Sequence, residues 1–175
     1  MAEEAELIQK VRRAVRLLLF QRHRSPGVRG WELRKCLGKD YIKVIELTRR
    51  HLDELGLDIK VVYEQAEEPK RPTEEQLERA RFYVVAKEPI TVTEAQLSGW
   101  RVDELAMLAV VLAYIYSKHG KVARAEVEQL LKEKFPGWAV GMTLDRFIRR
   151  GYLMQDEQDM LYAGWKARAE IDSGL

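Results

Sequence analysis

The feature that most constrains the fold is an order of sequence patterns that occurs twice along the chain. Each copy begins with a long segment of helical periodicity, continues with two further helical segments, and ends with two runs of β-forming residues. Four pairs of residues match in type or polarity at a spacing of 94 residues: Val28 and Val122, Glu32 and Glu126, Leu33 and Val127, and Leu37 and Leu131. The chain is therefore predicted to contain two structural repeats, which are too few for a solenoid.

The first copy has three helical segments followed by two strand-like runs. The first helix carries apolar residues at helical spacing, namely Leu7, Ile8, Val11, Val15, Leu18 and Leu19. It ends near Ser25-Pro26-Gly27, and further helices are predicted over residues 31–37 and from about Lys39 to Gly56. Residues 57–63 and 81–86 have the composition of strands. Three helices and a hairpin predict a winged-helix domain over residues 1–88.

The second copy repeats this order over residues 102–175. Helices are predicted over residues 102–118 and 124–134, and after a break at Pro136-Gly137 a third helix is predicted that ends before Gly151. A short hairpin of residues 152–154 and 160–162 and a closing helix over 165–171 follow. Residues 89–101 are predicted to form a linker, in which Trp100 is expected to pack across the domain boundary. The predicted fold class is mainly α with small β-hairpins, arranged as tandem winged-helix domains.

An insertion of residues 64–80 separates the two strand runs of the first copy. Pro69 and Pro72 among mixed charges disfavour a strand there, so the insertion is predicted to form a mobile wing tip. Within it, Thr73-Glu74-Glu75-Gln76 has the pattern of a capping box and predicts the start of a short helix.

Composition favours a soluble intracellular protein. Of the 175 residues, 46% are hydrophobic and 33% charged, which disfavours disorder. The longest apolar stretch, residues 105–116, is shorter than the ~20 residues that span a bilayer, and the first residues lack the pattern of a secretory signal. The single cysteine, Cys36, agrees with a reducing compartment. We expect the protein in the cytoplasm, associated with the nucleoid, or in the nucleus of a eukaryote, and not in a membrane.

The usual constellations of an enzyme are not found in the sequence. His23, His51 and His119 lie far apart and have no cysteine or histidine at metal-ligand spacing. No phosphate-binding glycine motif and no GxSxG nucleophile motif occurs. We therefore expect no catalytic residue, no metal site and no cofactor.

Basic side chains are the candidates for contact with DNA phosphates. In the first copy, Lys39, Lys43 and Arg50 fall on one side of the predicted third helix, and Glu46 interrupts that side. In the second copy, Arg146, Arg149 and Arg150 extend from the third helix, and Lys118 and Lys121 flank the turn after the long helix. Arg22-His23-Arg24 and Arg29, between the first two helices, are a further candidate clamp on a phosphate backbone. The alternative for each cluster is a solvated basic face without a ligand.

Several segments, in order, resemble the MAGE homology domain, which is itself a tandem of winged helices. They cover most of the chain: residues 15–20 (VRLLLF), 56–60 (GLDIK), 82–85 (FYVV), 104–112 (ELAMLAVVL), 147–153 (FIRRGYL) and 164–170 (GWKARAE). The chain departs from the family pattern at Ala163, where tryptophan is usual, in its clipped second wing and in the insertion of residues 64–80. The bacterial ScpB group, with the same tandem plan, is the second resemblance.

The resemblance implies a non-catalytic subunit of an SMC complex of the DNA-repair or chromosome-maintenance type. Such a subunit would bind the kleisin chain, contact a RING-type protein through its first helix, and touch DNA without sequence specificity. Carried over by position, the protein-binding residues are Leu17, Leu18, Leu19 and Phe20, whose alternative role is ordinary core packing. A kleisin helix is expected on the second winged helix together with the inter-domain surface, with Val110, Leu112 and Tyr114 contributing where the long helix is exposed.

A winged-helix transcription regulator is the alternative function. A regulator reads base edges with Arg, Asn or Gln on its third helix. The third helices here contain lysine and arginine but neither asparagine nor glutamine, which favours contact with the DNA backbone over base readout. The kleisin's identity, the presence of a RING partner and the stoichiometry do not follow from the sequence.

Overall fold

The structure is a computed structural model that describes residues 2–20, 27–64 and 69–171. The chain divides into two compact units, Met1–Pro89 and Ile90–Leu175, each with its own hydrophobic core.

The first unit is a winged helix. Its elements in chain order are α1 (Ala2–Leu19), β1 (Val28–Arg29), α2 (Gly30–Leu37), α3 (Tyr41–Asp53), β2 (Leu57–Val62), α4 (Glu74–Arg79) and β3 (Arg81–Ala86). The three strands form an antiparallel sheet in the order β1-β3-β2, with Val28 opposite Phe82. Apolar faces of α1, α2 and α3 close over this sheet, and Leu33, Ile59 and Phe82 lie at the centre of the core.

The insertion places α4 against α2. The side chain of Thr73 accepts a hydrogen bond from the backbone N–H of Gln76 at 3.2 Å, and the Gln76 side chain accepts one from the Thr73 N–H at 2.9 Å. This reciprocal cap confirms the capping box predicted from the sequence. Arg34 of α2 forms an ion pair with Glu78 of α4, which raises the pKa of the Arg34 guanidinium. Residues 65–68 of the predicted wing tip lie outside the described residues.

Gly30 makes the close approach of α4 possible. Its N–H donates a hydrogen bond to the carbonyl oxygen of Ala80 at 3.0 Å. A Cβ atom at this position would lie 1.9 Å from the carbonyl oxygen of Leu77, far inside van der Waals contact. The corresponding residue of the second unit, 94 positions later, is Arg124, and no inserted helix occurs between the strands of that unit.

The second unit repeats the winged-helix plan. Its elements are α5 (Val92–Leu97), α6 (Val102–Ser117), β4 (Val122–Ala123), α7 (Arg124–Lys132), α8 (Gly137–Arg150), β5 (Leu153–Gln155), β6 (Met160–Ala163) and α9 (Trp165–Glu170). Its sheet order, β4-β6-β5, is the counterpart of the order in the first unit. Helix α5, with a capping box formed by Thr91 and Glu94, lies in the segment expected to be a linker, and residues 90–101 of that segment belong to the second unit.

The predicted repeat is present in the three-dimensional structure. Val28 and Val122 occupy the first strand of each unit and pair with Phe82 and Leu161 of the central strand. The other two apolar pairs of the repeat are also buried at matching positions of α2 and α7. The predicted fold class, mainly α with small β-hairpins in tandem winged helices, is confirmed.

Candidate partner-binding and nucleic-acid surfaces

The end of α1 carries the predicted protein-binding residues, and the structure separates them into two groups. Leu18 is only 8% exposed and belongs to the first core, while Leu17 is half-buried against that core. Leu19 and Phe20 are 45% and 75% exposed. The exposed part of the predicted patch is therefore Leu19 and Phe20, whereas Leu18 has the core role that helical spacing alone indicates.

A shallow depression adjoins the exposed ring of Phe20. It is lined by Arg13, Arg16, Leu17 and Phe20. The guanidinium of Arg13 donates a hydrogen bond to the carbonyl oxygen of Cys36 at 3.1 Å, which fixes one wall of the depression to α2. An apolar floor with cationic walls suits a partner that presents apolar and acidic side chains.

The basic residues of the first unit form a surface of mixed charge. Lys43 and Arg50 share an exposed face of α3, but Glu46 lies on the same face. The Lys43 Nζ atom is 3.8 Å from the Asp40 carboxylate. Lys39 was predicted on the third helix and instead lies in the turn before it, because α3 begins at Tyr41. The predicted clamp residues Arg22, His23 and Arg24 lie outside the described residues, whereas Arg29 pairs with Glu64 at 3.2 Å.

Two predicted cations of the second unit flank the end of α6. The Lys118 Nζ atom lies 5.5 Å from the centroid of the Tyr114 ring, in a cation–π contact, and its side chain is exposed. Lys121 forms a 2.5 Å ion pair with Asp156. The hydrogen bond from Lys121, together with those from the backbone N–H groups of Met160 and Gln158, lowers the pKa of the Asp156 carboxyl.

The three arginines near the end of α8 have different surroundings. Arg146 forms an ion pair with Glu104 of α6, a carboxylate only 5% exposed, so this arginine neutralises a buried charge and is a poor phosphate ligand. The Arg150 guanidinium lies 5.1 Å from the centroid of the Trp100 ring. Arg149 is exposed, and its side chain forms no ion pair with another described residue.

Trp100 was expected to pack across the domain boundary, but its described ring contacts lie within the second unit. Its ring centroid is 6.3 Å from that of Phe147 and 5.3 Å from that of Tyr152. Trp100 therefore extends the second core, and Arg150 covers its outer face.

Helix α6 presents an apolar seam that the sequence interpretation assigned mostly to the core. The seam consists of exposed residues at alternating spacings of four and three, namely Val102, Ala106, Ala109, Ala113 and Tyr116. Three residues of α6 were expected to contribute to a kleisin site where this helix is exposed. Val110 is exposed beside the seam, Leu112 is buried, and the Tyr114 hydroxyl donates a hydrogen bond to Glu126 at 3.2 Å. The sequence did contain a signal for this seam, because α6 is apolar around its whole circumference and not on one face alone.

Sequence reasoning also missed two exposed apolar residues on α8. Trp138 and Met142 are 76% and 57% exposed and lie one helical turn apart. Val140, Leu144 and Phe147 form the opposite, buried face. The helical periodicity of the sequence already places Trp138 and Met142 on the opposite side of α8 from these three core residues.

Neither a metal-binding cluster nor a membrane-spanning helix is found in the part of the chain that the structure describes. Among residues 2–20, 27–64 and 69–171, no three or more His, Cys, Asp or Glu side chains lie close enough together to hold a metal ion. In the same part of the chain, no helix has both the length and the hydropathy needed to cross a bilayer.

The fold and these surfaces define a tandem winged-helix protein with unpartnered apolar faces. Its structure is similar to a chain of the solved Nse1-Nse3-Nse4 complex, with a TM-score of 0.61 and 18% sequence identity over 95% of this chain and 84% of that chain. This similarity confirms the predicted tandem winged-helix arrangement at the level of the fold. No protein-family model and no curated protein matches the sequence.

Proposed function

We propose that this protein is a non-catalytic tandem winged-helix subunit of an SMC complex of the DNA-repair or chromosome-maintenance type. It binds a kleisin and a RING-type partner, and it contacts DNA through basic surfaces. The proposal is supported by a fold similarity that extends over nearly the whole chain, to a protein solved within a three-component complex. The MAGE-like segments of the sequence run through both winged helices and support the same function.

The apolar seam of α6 is the observation that carries the kleisin part of the proposal. A helix that is apolar on every side is normally buried on every side. The core of the second unit covers one face, through Met107, Val111 and Ile115, and leaves the seam exposed. Spacings of four and three residues are those by which one helix packs along another, and the alanines permit a close approach. The proposed occupant is therefore a helix of the kleisin.

The RING-type partner is proposed to bind at the end of α1. Leu19 and Phe20 supply exposed apolar area there, and Arg13 and Arg16 line the adjacent depression. A partner that presents apolar and acidic side chains would complement this surface.

DNA contact is proposed for exposed cations that are not neutralised by a neighbouring carboxylate. Of the cations predicted from the sequence, Lys39, Arg50, Lys118, Arg149 and Arg150 satisfy this condition within the described part of the chain. Since neither α3 nor α8 contains asparagine or glutamine, the contact is expected to be with phosphates and to depend on salt.

Purification of the tagged full-length chain from its native host, followed by mass spectrometry, tests the partner assignments. The wild-type chain is expected to recover SMC and kleisin proteins. Ala109→Arg, on the seam, should lose the kleisin, whereas Ala125→Arg, on the exposed face of α7, is the matched control and should retain it. Circular dichroism establishes that both variants are folded.

Three results would contradict parts of this proposal. If Ala109→Arg recovers the kleisin as well as the wild type does, the seam is not the kleisin site. If a Leu19→Ala, Phe20→Ala double variant keeps a recovered RING-type protein, the end of α1 is not its site. If the wild-type chain recovers no SMC component and instead enriches one defined DNA sequence, the protein is a transcription regulator.

A further inference from the structure

The outward face of α8 combines an exposed tryptophan with cationic side chains. Trp138, Met142, Asp145 and Arg149 lie on one stripe, since they are four, seven and eleven residues apart in a helix of 3.6 residues per turn. The stripe points away from the core, which α8 contacts through its opposite face. An exposed tryptophan forgoes a large apolar burial, so a residue of this kind indicates a ligand for its ring.

The charges around Trp138 favour an anionic ligand. Lys134 lies in the turn just before α8, is exposed, and forms no ion pair with another described residue. Asp145, within the stripe, is paired with Arg124 at 2.8 Å, and Glu128 of α7 is paired with both Arg124 and Lys132. These ion pairs offset the carboxylates of the surface.

Some negative charge remains in the same turn. Glu133 is exposed beside Lys134, so the surface is not uniformly positive. The stripe still ends in the exposed guanidinium of Arg149, about 16 Å along the helix axis from Trp138. Lys134 therefore precedes the apolar pair formed by Trp138 and Met142, and Arg149 lies at the far end of the stripe, beyond the paired Asp145.

We propose that this stripe binds single-stranded DNA, with an unpaired base stacked on Trp138 and the strand's phosphates contacted by Lys134 and Arg149. An aromatic face for bases beside cations for the backbone is the combination by which single strands are bound without sequence preference. A duplex offers no free base face to this ring. The outward face of α3, the corresponding helix of the first unit, carries Lys43, Glu46 and Arg50 but no aromatic residue, so of the two third helices α8 is assigned this activity.

The main alternative occupant is a protein, for which an exposed tryptophan would be an anchor. Lysine is depleted at protein interfaces. Lys134 lies three residues before the first residue of α8, and a lysine so close to Trp138 favours nucleic acid over a protein as the occupant. The inference rests on the DNA contact proposed above but not on the kleisin or RING partner. Its test therefore uses the purified full-length chain alone.

The experiment measures fluorescence anisotropy with a labelled 15-nucleotide single strand and with the duplex of the same sequence, at one fixed salt concentration. Trp138→Ala is expected to weaken binding of the single strand roughly tenfold or more while leaving duplex binding unchanged. Trp138→Phe keeps a ring and should retain most of the affinity. Trp31→Ala removes another half-exposed tryptophan, on α2, and is the matched control that should behave as the wild type.

A second measurement uses the protein's own fluorescence. Stacking on Trp138 should quench part of the tryptophan emission when the unlabelled single strand is added, and that part should be missing in Trp138→Phe. Lys134→Glu should weaken binding and reduce the slope of log affinity against log salt by about 0.7 for one lost phosphate contact.

Either of two results would overturn the inference. One is that Trp138→Ala binds the single strand as the wild type does, or weakens single-strand and duplex binding equally. The other is that Trp138→Ala keeps its affinity for the single strand but loses a protein that the wild-type chain recovers from its host, which would make the stripe a protein interface. Neither result affects recovery of a kleisin through the α6 seam, so the two proposals can fail independently.

Discussion

Replacement of Arg146 by alanine separates a structural role from a DNA-binding one. In the structure, the guanidinium neutralises Glu104, whose side chain is almost completely buried, while the arginine itself is partly exposed. Removing one member of a fully buried ion pair costs about 3–5 kcal/mol, because the remaining charge is left without a partner. Water can reach the outer part of this pair, so we expect a smaller loss of about 2 kcal/mol in the free energy of unfolding of the second unit.

The assay is urea denaturation followed by circular dichroism, with thermal unfolding as a second measure. A loss of ~2 kcal/mol corresponds to a decrease of about 10 °C in Tm for a domain of this size. Glu104→Gln in the Arg146→Ala background removes the unpaired charge and should restore about half of the lost stability. Refutation would be an Arg146→Ala protein as stable as the wild type with weakened DNA binding, since the ion pair would then contribute nothing.

Two further predictions concern a glycine and a turn. Gly30→Ala should lower the free energy of unfolding of the first unit by about 1–3 kcal/mol in urea titration, because the new Cβ meets the Leu77 carbonyl. Gly141→Ala, in α8 with open space around it, should stabilise the second unit by about 0.5–1 kcal/mol. Equal effects of the two variants would contradict the packing of α4. The carboxyl of Asp156 should titrate below its ordinary pKa of 3.8 by NMR, so its contribution to stability is present above that pH and is lost as the pH falls through the lowered value. Lys121→Ala should raise this pKa towards 3.8, and an unchanged pKa would show that the ion pair is not formed in solution.

The sequence predicted elements whose signals are local. Apolar periodicity and the stop signals at Gly56 and Gly151 located all three main helices of each unit, and the Thr73 capping box located α4. The two-residue strands Val28–Arg29 and Val122–Ala123 were missed because each exists only through pairing with a strand far along the chain. Helix α5 was missed because six residues between predicted domains give too short a periodic signal.

The surfaces were less predictable than the fold, because exposure depends on what else packs nearby. Leu18 and Leu19 are adjacent and chemically identical, yet only Leu19 is exposed. Arg146 has the sequence appearance of a surface cation, but its partner, Glu104, lies 42 residues away in the chain. The α6 seam looked like core because an apolar helix gives no indication of which of its faces the rest of the chain covers.

The pair of equivalent positions Gly30 and Arg124 has a consequence for how the two repeats can change. In the first, the absent side chain leaves the space that the backbone of α4 fills. In the second, the guanidinium bonds to Glu128, Asp145 and Gln155 and so ties α7 to α8 and β5. The inserted helix and the glycine therefore depend on each other in the first copy, as the arginine and its three partners do in the second. Exchanging the two residues would disrupt the packing of both copies, so the repeats are no longer equivalent at this position.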